Sequence, residues 1–326
     1  MKRKYIYILF FAIILDILIL VLGKSSFPNF INGGNYSLFM SNIIWCALFD
    51  ILLIFFAVKS DIIFDMPYET IVNRNLVWNL SKNDFKVRYV GSYLGIFWAF
   101  INPMVTIMLY WLVFQFAFKS QPVDNYPFVL WLISGLVPWF LIQDSITTGT
   151  NALLEYAYLV KKVLFKISVL PAVKIISASL VHIMFMLVVL IIFICMGYFP
   201  SFIFLLQLIY YFVCAMVLAL AISYITSSVV LFVRDLGQFI VVFMQVFMWA
   251  SPIMWRIEIV PERFRWIMKL NPAYYIITGY RDSLLYHVNV FKHLANTLYF
   301  WSIVIILMII GSATFNKLRP HFADVL

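Results

Sequence analysis

The chain has 14 acidic and 23 basic residues among 326, so an ionisable group inside an apolar run is the first place to look for chemistry. Asp16 and Asp50 fall within the runs Tyr5–Leu22 and Leu38–Val58, where a carboxylate costs about 3 kcal/mol unless it is paired, protonated or turned toward water. Two readings stay open for them: a proton or cation path, or polar packing against a neighbouring helix. A second group, Glu258, Glu262, Arg263 and Arg281, lies in the segment Trp255–His293. These are residue types that a membrane-embedded polymerase or transferase would use as acid and base, yet no paired motif with a metal or nucleophile partner accompanies them. Cys46, Cys195 and Cys214 sit in apolar runs with no metal-ligand or disulfide spacing, and read as small buried residues. No glycine-rich turn ends in Gly-Lys-Ser/Thr among the 11 glycines, so the sequence holds no phosphate-cradling loop.

The elements that must position these groups are membrane spans. Hydrophobic residues make up 65% of the chain, charged residues only 11%, and the mean hydropathy is +1.00, which excludes an ordinary water-soluble fold. One span needs about 20 apolar residues. Runs of that kind predict helices at Tyr5–Leu22, Leu38–Val58, Tyr93–Phe118, Phe128–Ile146, Ile175–Tyr198, Ile203–Val230, Leu236–Met254 and Leu294–Thr314. Eight spans put both termini on one side. With that side cytoplasmic, it receives Lys2, Arg3, Lys4, Lys59, Arg74, Lys82, Lys86, Arg88, Lys161, Lys162, Lys166, Lys174, Arg234, Lys317 and Arg319, which is 15 of the 23 basic residues. The formal charge of +9 is therefore topological and implies no nucleic-acid partner. Lys2, Arg3 and Lys4 precede a retained span rather than a signal peptide, because no small-residue cleavage site follows and Asp16 interrupts the run. No repeat or low-complexity tract is evident. The chain divides into an N-terminal hairpin, residues 1–60, and one membrane domain, residues 61–326.

Four polar stretches stand out between the spans. In Met66–Tyr89, Tyr68, Ile71, Val72, Leu76 and Leu80 recur at helical spacing while Glu69, Arg74, Lys82 and Lys86 fall mostly elsewhere. With Trp78, this predicts an amphipathic helix lying in the headgroup plane, its cations toward membrane lipid. The loop after the fourth span carries Glu155, Lys161, Lys162, Phe165 and Lys166; it either docks into a cleft of another protein or anchors on anionic lipid. At the next corner Arg234 and Asp235 stand side by side, Asp235 where the dipole of the following helix favours an acid. Trp255–His293 is too apolar for a free loop. The Asn271–Pro272 pair and the amphipathic pieces around it predict helices that dip back into the outer leaflet, or else an interfacial cover. Finally, aromatic rings crowd two spans: Trp98, Tyr110, Trp111 and Phe114 on the third, Phe243, Phe247 and Trp249 on the seventh. Such rings serve helix packing, or line a path along which sugar faces slide.

From Lys86 onward the chain resembles a known family. KVRYVGSYLGIFWAFINP at Lys86–Pro103, LISGLVPWF at Leu132–Phe140, YLVKKVLFKISVLP at Tyr158–Pro171, VRDLGQ at Val233–Gln238, SPIMW through LNPAYY at Ser251–Tyr275 with YRDSLL after it, and the terminal LRPHFADVL look like the ABC-2-type permease subunits that export polysaccharides such as O-antigens, capsules and teichoic acids. The resemblance covers roughly residues 66–326 and leaves out the hairpin. It implies an all-α polytopic fold: a six-helix permease core with an interfacial helix (Arg74, Trp78, Lys82, Lys86, Arg88) and re-entrant outer gate helices (Pro252, Trp255, Glu262, Asn271, Pro272, Arg281), to which the apolar runs outside the resemblance add an extra N-terminal two-helix hairpin. It further implies that Glu155, Lys161, Lys162, Phe165, Arg234 and Asp235 couple to an ATPase. The expected protein is a homodimer of permeases in a bacterial cytoplasmic membrane, both termini cytoplasmic, working with an ABC ATPase dimer. ATP and Mg would bind that partner, leaving no cofactor on this chain, and the substrate would be a polyprenyl-diphosphate-linked glycan or teichoic acid. A glycan polymerase and a drug-type efflux permease are the competing expectations.

Overall fold

The computed structural model describes Asp50 and residues 65–89, 93, 95–161 and 166–326. Apart from Asp50, the expected hairpin, with Asp16 in it, lies outside the described residues, as do Gly91, Ser92, Lys162 and Phe165. The described chain is helical, broken only by turns and a single isolated bridge between Val123 and Tyr126.

Two helices, α1 (Asp65–Val72) and α2 (Arg74–Tyr89), form the interfacial element. Its apolar residues Tyr68, Ile71, Val72 and Trp78 point outward, while α2 turns Val77, Ser81 and Asp84 inward. An apolar face directed away from the described helices suits a lipid surface. Lys82 lies 5.7 Å from the centre of the Trp78 ring, so the cation shields part of that face.

The first core helix, α3 (Trp98–Leu112), opens on a 3₁₀ turn at Gly95–Phe97 and ends in a wide π-type turn at Val113–Ala117. Together they fill the expected Tyr93–Phe118 run. Helix α4 (Phe128–Thr150) is buried along most of its length, and α3, α7, α8, α9 and α11 all pack on it. Beyond it come two single turns, α5 (Ala152–Glu155) and α6 (Ala157–Val160), then α7 (Leu170–Cys195), α8 (Phe202–Val230) and α9 (Asp235–Ala250). The segment that follows returns toward the bundle through α10 (Arg265–Lys269) and α11 (Pro272–Arg281), before α12 (Leu294–Leu318) and the final turn α13 (Phe322–Val325). Four stretches, Phe128–Thr150, Ile167–Cys195, Phe202–Val230 and Ala295–Val325, are long and apolar enough to cross a bilayer, and Ile101–Ala117 and Asp235–Ala250 are shorter apolar helices. The protein is a multi-pass membrane protein.

Helix α7 begins five residues before the expected span start at Ile175 and draws Lys174 inside it. Pro171 allows this: in the first turn its missing N–H costs nothing and its fixed φ favours the helix. At the other end of the bundle, small residues let the helices close up. A Cβ on Gly135 of α4 would stand 2.7 Å from an Arg281 nitrogen of α11 and 3.2 Å from the Ile253 carbonyl, so only glycine admits the guanidinium there.

Candidate functional site

At the α2 end of the bundle the polar residues converge on one ionic network. Lys174 of α7, 5% exposed, donates to Asp84 of α2 and to Glu155 of α5, each at 2.5 Å. The Tyr156 hydroxyl donates to the same Asp84 oxygen at 3.0 Å, and Lys174 lies 5.1 Å from the centre of the Tyr156 ring. Burial, and the negative charge of Asp84, push the Tyr156 phenol well above its ordinary pKa, which keeps it a donor. Arg88, at the end of α2, donates to Asp144 of α4 at 2.8 Å and stands 3.8 Å from Asp84. Burial opposes the Arg88 charge, but the two carboxylates more than offset it and raise its pKa. Ser81 fastens the same helix pair by donating to the Val173 carbonyl at 3.1 Å. Beside the network, Lys166 and Ser168 donate to Glu69 of α1. Burial works against the Glu69 charge, but these bonds and the Lys166 charge hold its pKa below the usual value. Five charges from α2, α4, α5 and α7 thus hold one another, with Lys174 and Asp84 buried at the centre and Asp144 and Glu155 reaching solvent. A displacement of the α5–α6 loop must pull on α2 and α4.

The residues expected to couple to another protein divide across this network. Glu155 has one arm in it, through Lys174, and remains exposed. Lys161, Arg234 and Asp235 are exposed, and Asp235 stands in the first turn of α9, where the helix dipole favours an acid. The two loops meet: a Cβ on Gly237 would come 2.8 Å from the Asn151 side-chain oxygen, so the α8–α9 corner lies against the start of the α5–α6 loop.

Beside the network, α2, α3, α4 and α7 line a half-open cavity of about 350 Å³. Arg88 and Asp144 line it, with Tyr89, Trp98, Phe140 and Phe185 as aromatic walls and Asn102, Pro103 and His182 completing it. Pro103 has no N–H, so the carbonyl of Ala99, a lining residue one turn back, loses its usual helical partner. His182 stacks on Phe212 and shares a 3.0 Å hydrogen bond with the Tyr280 hydroxyl of α11, so the cavity wall reaches the segment at the far end.

In that far segment Ser251 and Pro252 end α9. Asn271 donates to the Ser251 hydroxyl at 2.8 Å and caps α11 by accepting from the Ala273 N–H. Arg281, expected among the gate residues, is 7% exposed. It donates to the Pro252 and Ile253 carbonyls at 2.9 and 2.6 Å and lies 3.7 Å from the centre of the Trp131 ring. Its place is therefore to fasten the broken backbone between α9 and α11. Trp255 donates to the Trp249 carbonyl, and Glu262 is exposed.

The expected aromatic residues form two sets. Phe243 and Phe247 stack at 5.3 Å and continue to Phe239 at 6.1 Å, a ladder along one face of α9, and Trp249 meets Tyr110 of α3 edge-on. Trp98 is exposed at the start of α3, whereas Trp111 and Phe114 are half-buried against Phe116 and Phe128. The sequence reading missed Asp84, Asp144, Lys174, His182, Trp131 and Tyr280 as site residues. Asp144 and His182 carried a usable signal, since each is an ionisable residue inside an expected span. The rest took their partners from helices far away in the chain.

These features, six core helices with an interfacial helix before them and a re-entrant segment before the last, define a membrane permease without a nucleotide-binding fold among its described residues. The sequence profile of the ABC-2 type transporter family matches residues 75–285, and the chain belongs to that family. It is 30% identical over 248 residues to an O-antigen export system permease protein RfbA of Klebsiella pneumoniae, covering 76% of this chain and 93% of the relative. A second such Klebsiella pneumoniae protein is 31% identical over the same shares, and one from Myxococcus xanthus is 25% identical over 77% of this chain and 95% of its own.

Proposed function

We propose that the chain is the permease subunit of an ATP-driven exporter that moves a lipid-linked polysaccharide out of the cytoplasm. Two copies form the path in a bacterial cytoplasmic membrane, both termini lie inside, and a separate ABC ATPase dimer binds the ATP and Mg. The observation that carries this reading is the extent of the likeness to O-antigen export permeases, 76% of this chain and 93% of the relative, beside a family profile that runs over residues 75–285. The geometry supports it in two places. The exposed Lys161, Arg234 and Asp235 stand on adjoining loops backed by the ionic network, as a docking surface for an ATPase requires. The Phe239–Phe243–Phe247 ladder offers ring faces over which sugar units pass without fixed hydrogen bonds. Co-purification tests the reading: the tagged chain recovers an ABC ATPase in equal amount, and charge reversal at Lys161 and Arg234 abolishes that recovery. A chain that recovers no ATPase would turn attention to polymerase chemistry in the Trp255–His293 segment.

A further inference from the structure

The cavity between α2, α3, α4 and α7 is unlike a phosphate site. Its only formally charged linings are Arg88 and Asp144, already bonded to each other at 2.8 Å, so with His182 neutral it carries no net charge. Arg88 also stands 3.8 Å from Asp84. A phosphate or diphosphate entering there would meet a cation already satisfied by two carboxylates, and would bring its own charge against Asp144. A neutral ligand rich in hydroxyls suits the same surface. Asp144 accepts, and Asn102 both donates and accepts. Trp98, 42% exposed, supplies an aromatic face at the rim, and Tyr89 a ring with a hydroxyl of its own. A volume of about 350 Å³ is at the lower end of small-molecule sites, in keeping with one or two sugar rings and too small for a polymer chain.

We infer that this cavity is a recognition subsite for one or two uncharged sugar units of the glycan, held by Asn102 and Asp144 against Trp98. The inference rests on the exporter reading and adds to it a site in each protomer, apart from the α9 ladder. Because Arg88 and Asp144 belong both to the lining and to the network that reaches Glu155, a sugar that donates hydrogen bonds to Asp144 bears on the loop expected to dock the ATPase. His182 ties the opposite wall to Tyr280 of the re-entrant segment.

The test uses the full chain with its ATPase in lipid nanodiscs. The probe is the neutral repeat-unit oligosaccharide released by mild acid from the surface glycan of cells that carry the chain. Saturation-transfer NMR should show contact between protein and sugar protons, reduced at least five-fold in Trp98→Ala and in Asn102→Leu, and unchanged in Trp266→Ala in the re-entrant segment. Inorganic diphosphate should not displace the sugar. As a check that needs no loss of binding, Asn102→Cys, in a chain with Cys46, Cys195 and Cys214 replaced by alanine, should react with a maleimide at least three-fold more slowly when the oligosaccharide is present. Absence of transfer in the wild type, full transfer in both variants, unprotected labelling, or displacement by diphosphate would each overturn the subsite. Glycan export is followed in parallel. Export by the wild type without sugar contact refutes the subsite alone, whereas no export at all refutes the exporter reading and the subsite with it.

Discussion

Lys174 and Asp84, 90 residues apart in the chain, form an ion pair in which the two side chains are only 6% and 7% exposed. The pair joins an interfacial helix to a membrane-crossing helix, and its third member, Glu155, carries it out to an exposed loop. Buried pairs of this kind add little net stability, but removing one partner leaves an uncompensated charge behind.

Lys174→Met should therefore destabilise the protein by about 3–5 kcal/mol. Thermal unfolding in detergent reads this as a clear fall in Tm, and Lys174→Met combined with Asp84→Leu should recover a large part of it, since the stranded carboxylate is gone. A single variant as stable as the wild type would show that the network is not desolvated.

Arg281 makes a similar prediction at the other end. With its guanidinium replaced in Arg281→Met, the Pro252 and Ile253 carbonyls lose their donor, at about 1–3 kcal/mol each. Gly135→Ala should act on the same contact by pushing the guanidinium away, with about 1–3 kcal/mol of overpacking. Both variants should lower Tm and speed proteolysis within residues 251–270, where the backbone is held by these bonds.

Glu69 sets a pH dependence. Its pKa is held below the ordinary carboxylate value, so its bonds to Lys166 and Ser168 add stability above the unfolded pKa of about 4.5 and lose it as pH falls through the lower folded value. The difference in Tm between wild type and Glu69→Gln should be present at pH 7 and shrink steadily below pH 4.5. A difference that stayed constant with pH would contradict the pairing.

The α9 ladder separates function from folding. Phe243 is exposed on its helix, so Phe243→Ala should leave the stability within about 1 kcal/mol of the wild type while lowering glycan export several-fold. Surface labelling of exported glycan in cells reads the export, and an unchanged rate would remove Phe243 from the path.

The sequence was most legible where a residue's meaning is local. Long apolar runs placed the core helices, and Asn271–Pro272 marked a helix start that the structure caps through Asn271. Asp235 was expected to begin a helix and does. What stayed hidden depends on partners distant in sequence. Lys174 looked like one more basic loop residue, because only the early start of α7 and the approach of Asp84 reveal it as buried. Arg281 read as a charged outer residue for the same reason, since its acceptors are backbone carbonyls that no pattern of side chains announces.

The central claim is best tested by reconstituting the chain and its ABC ATPase in sealed vesicles loaded with the lipid-linked glycan on the ATP-accessible face. Glycan should move with ATP and Mg into the compartment protected from an added glycosidase, and an ATPase variant that binds but does not hydrolyse ATP should stop it. Movement without ATP, or glycan that lengthens in place without crossing, would contradict the account.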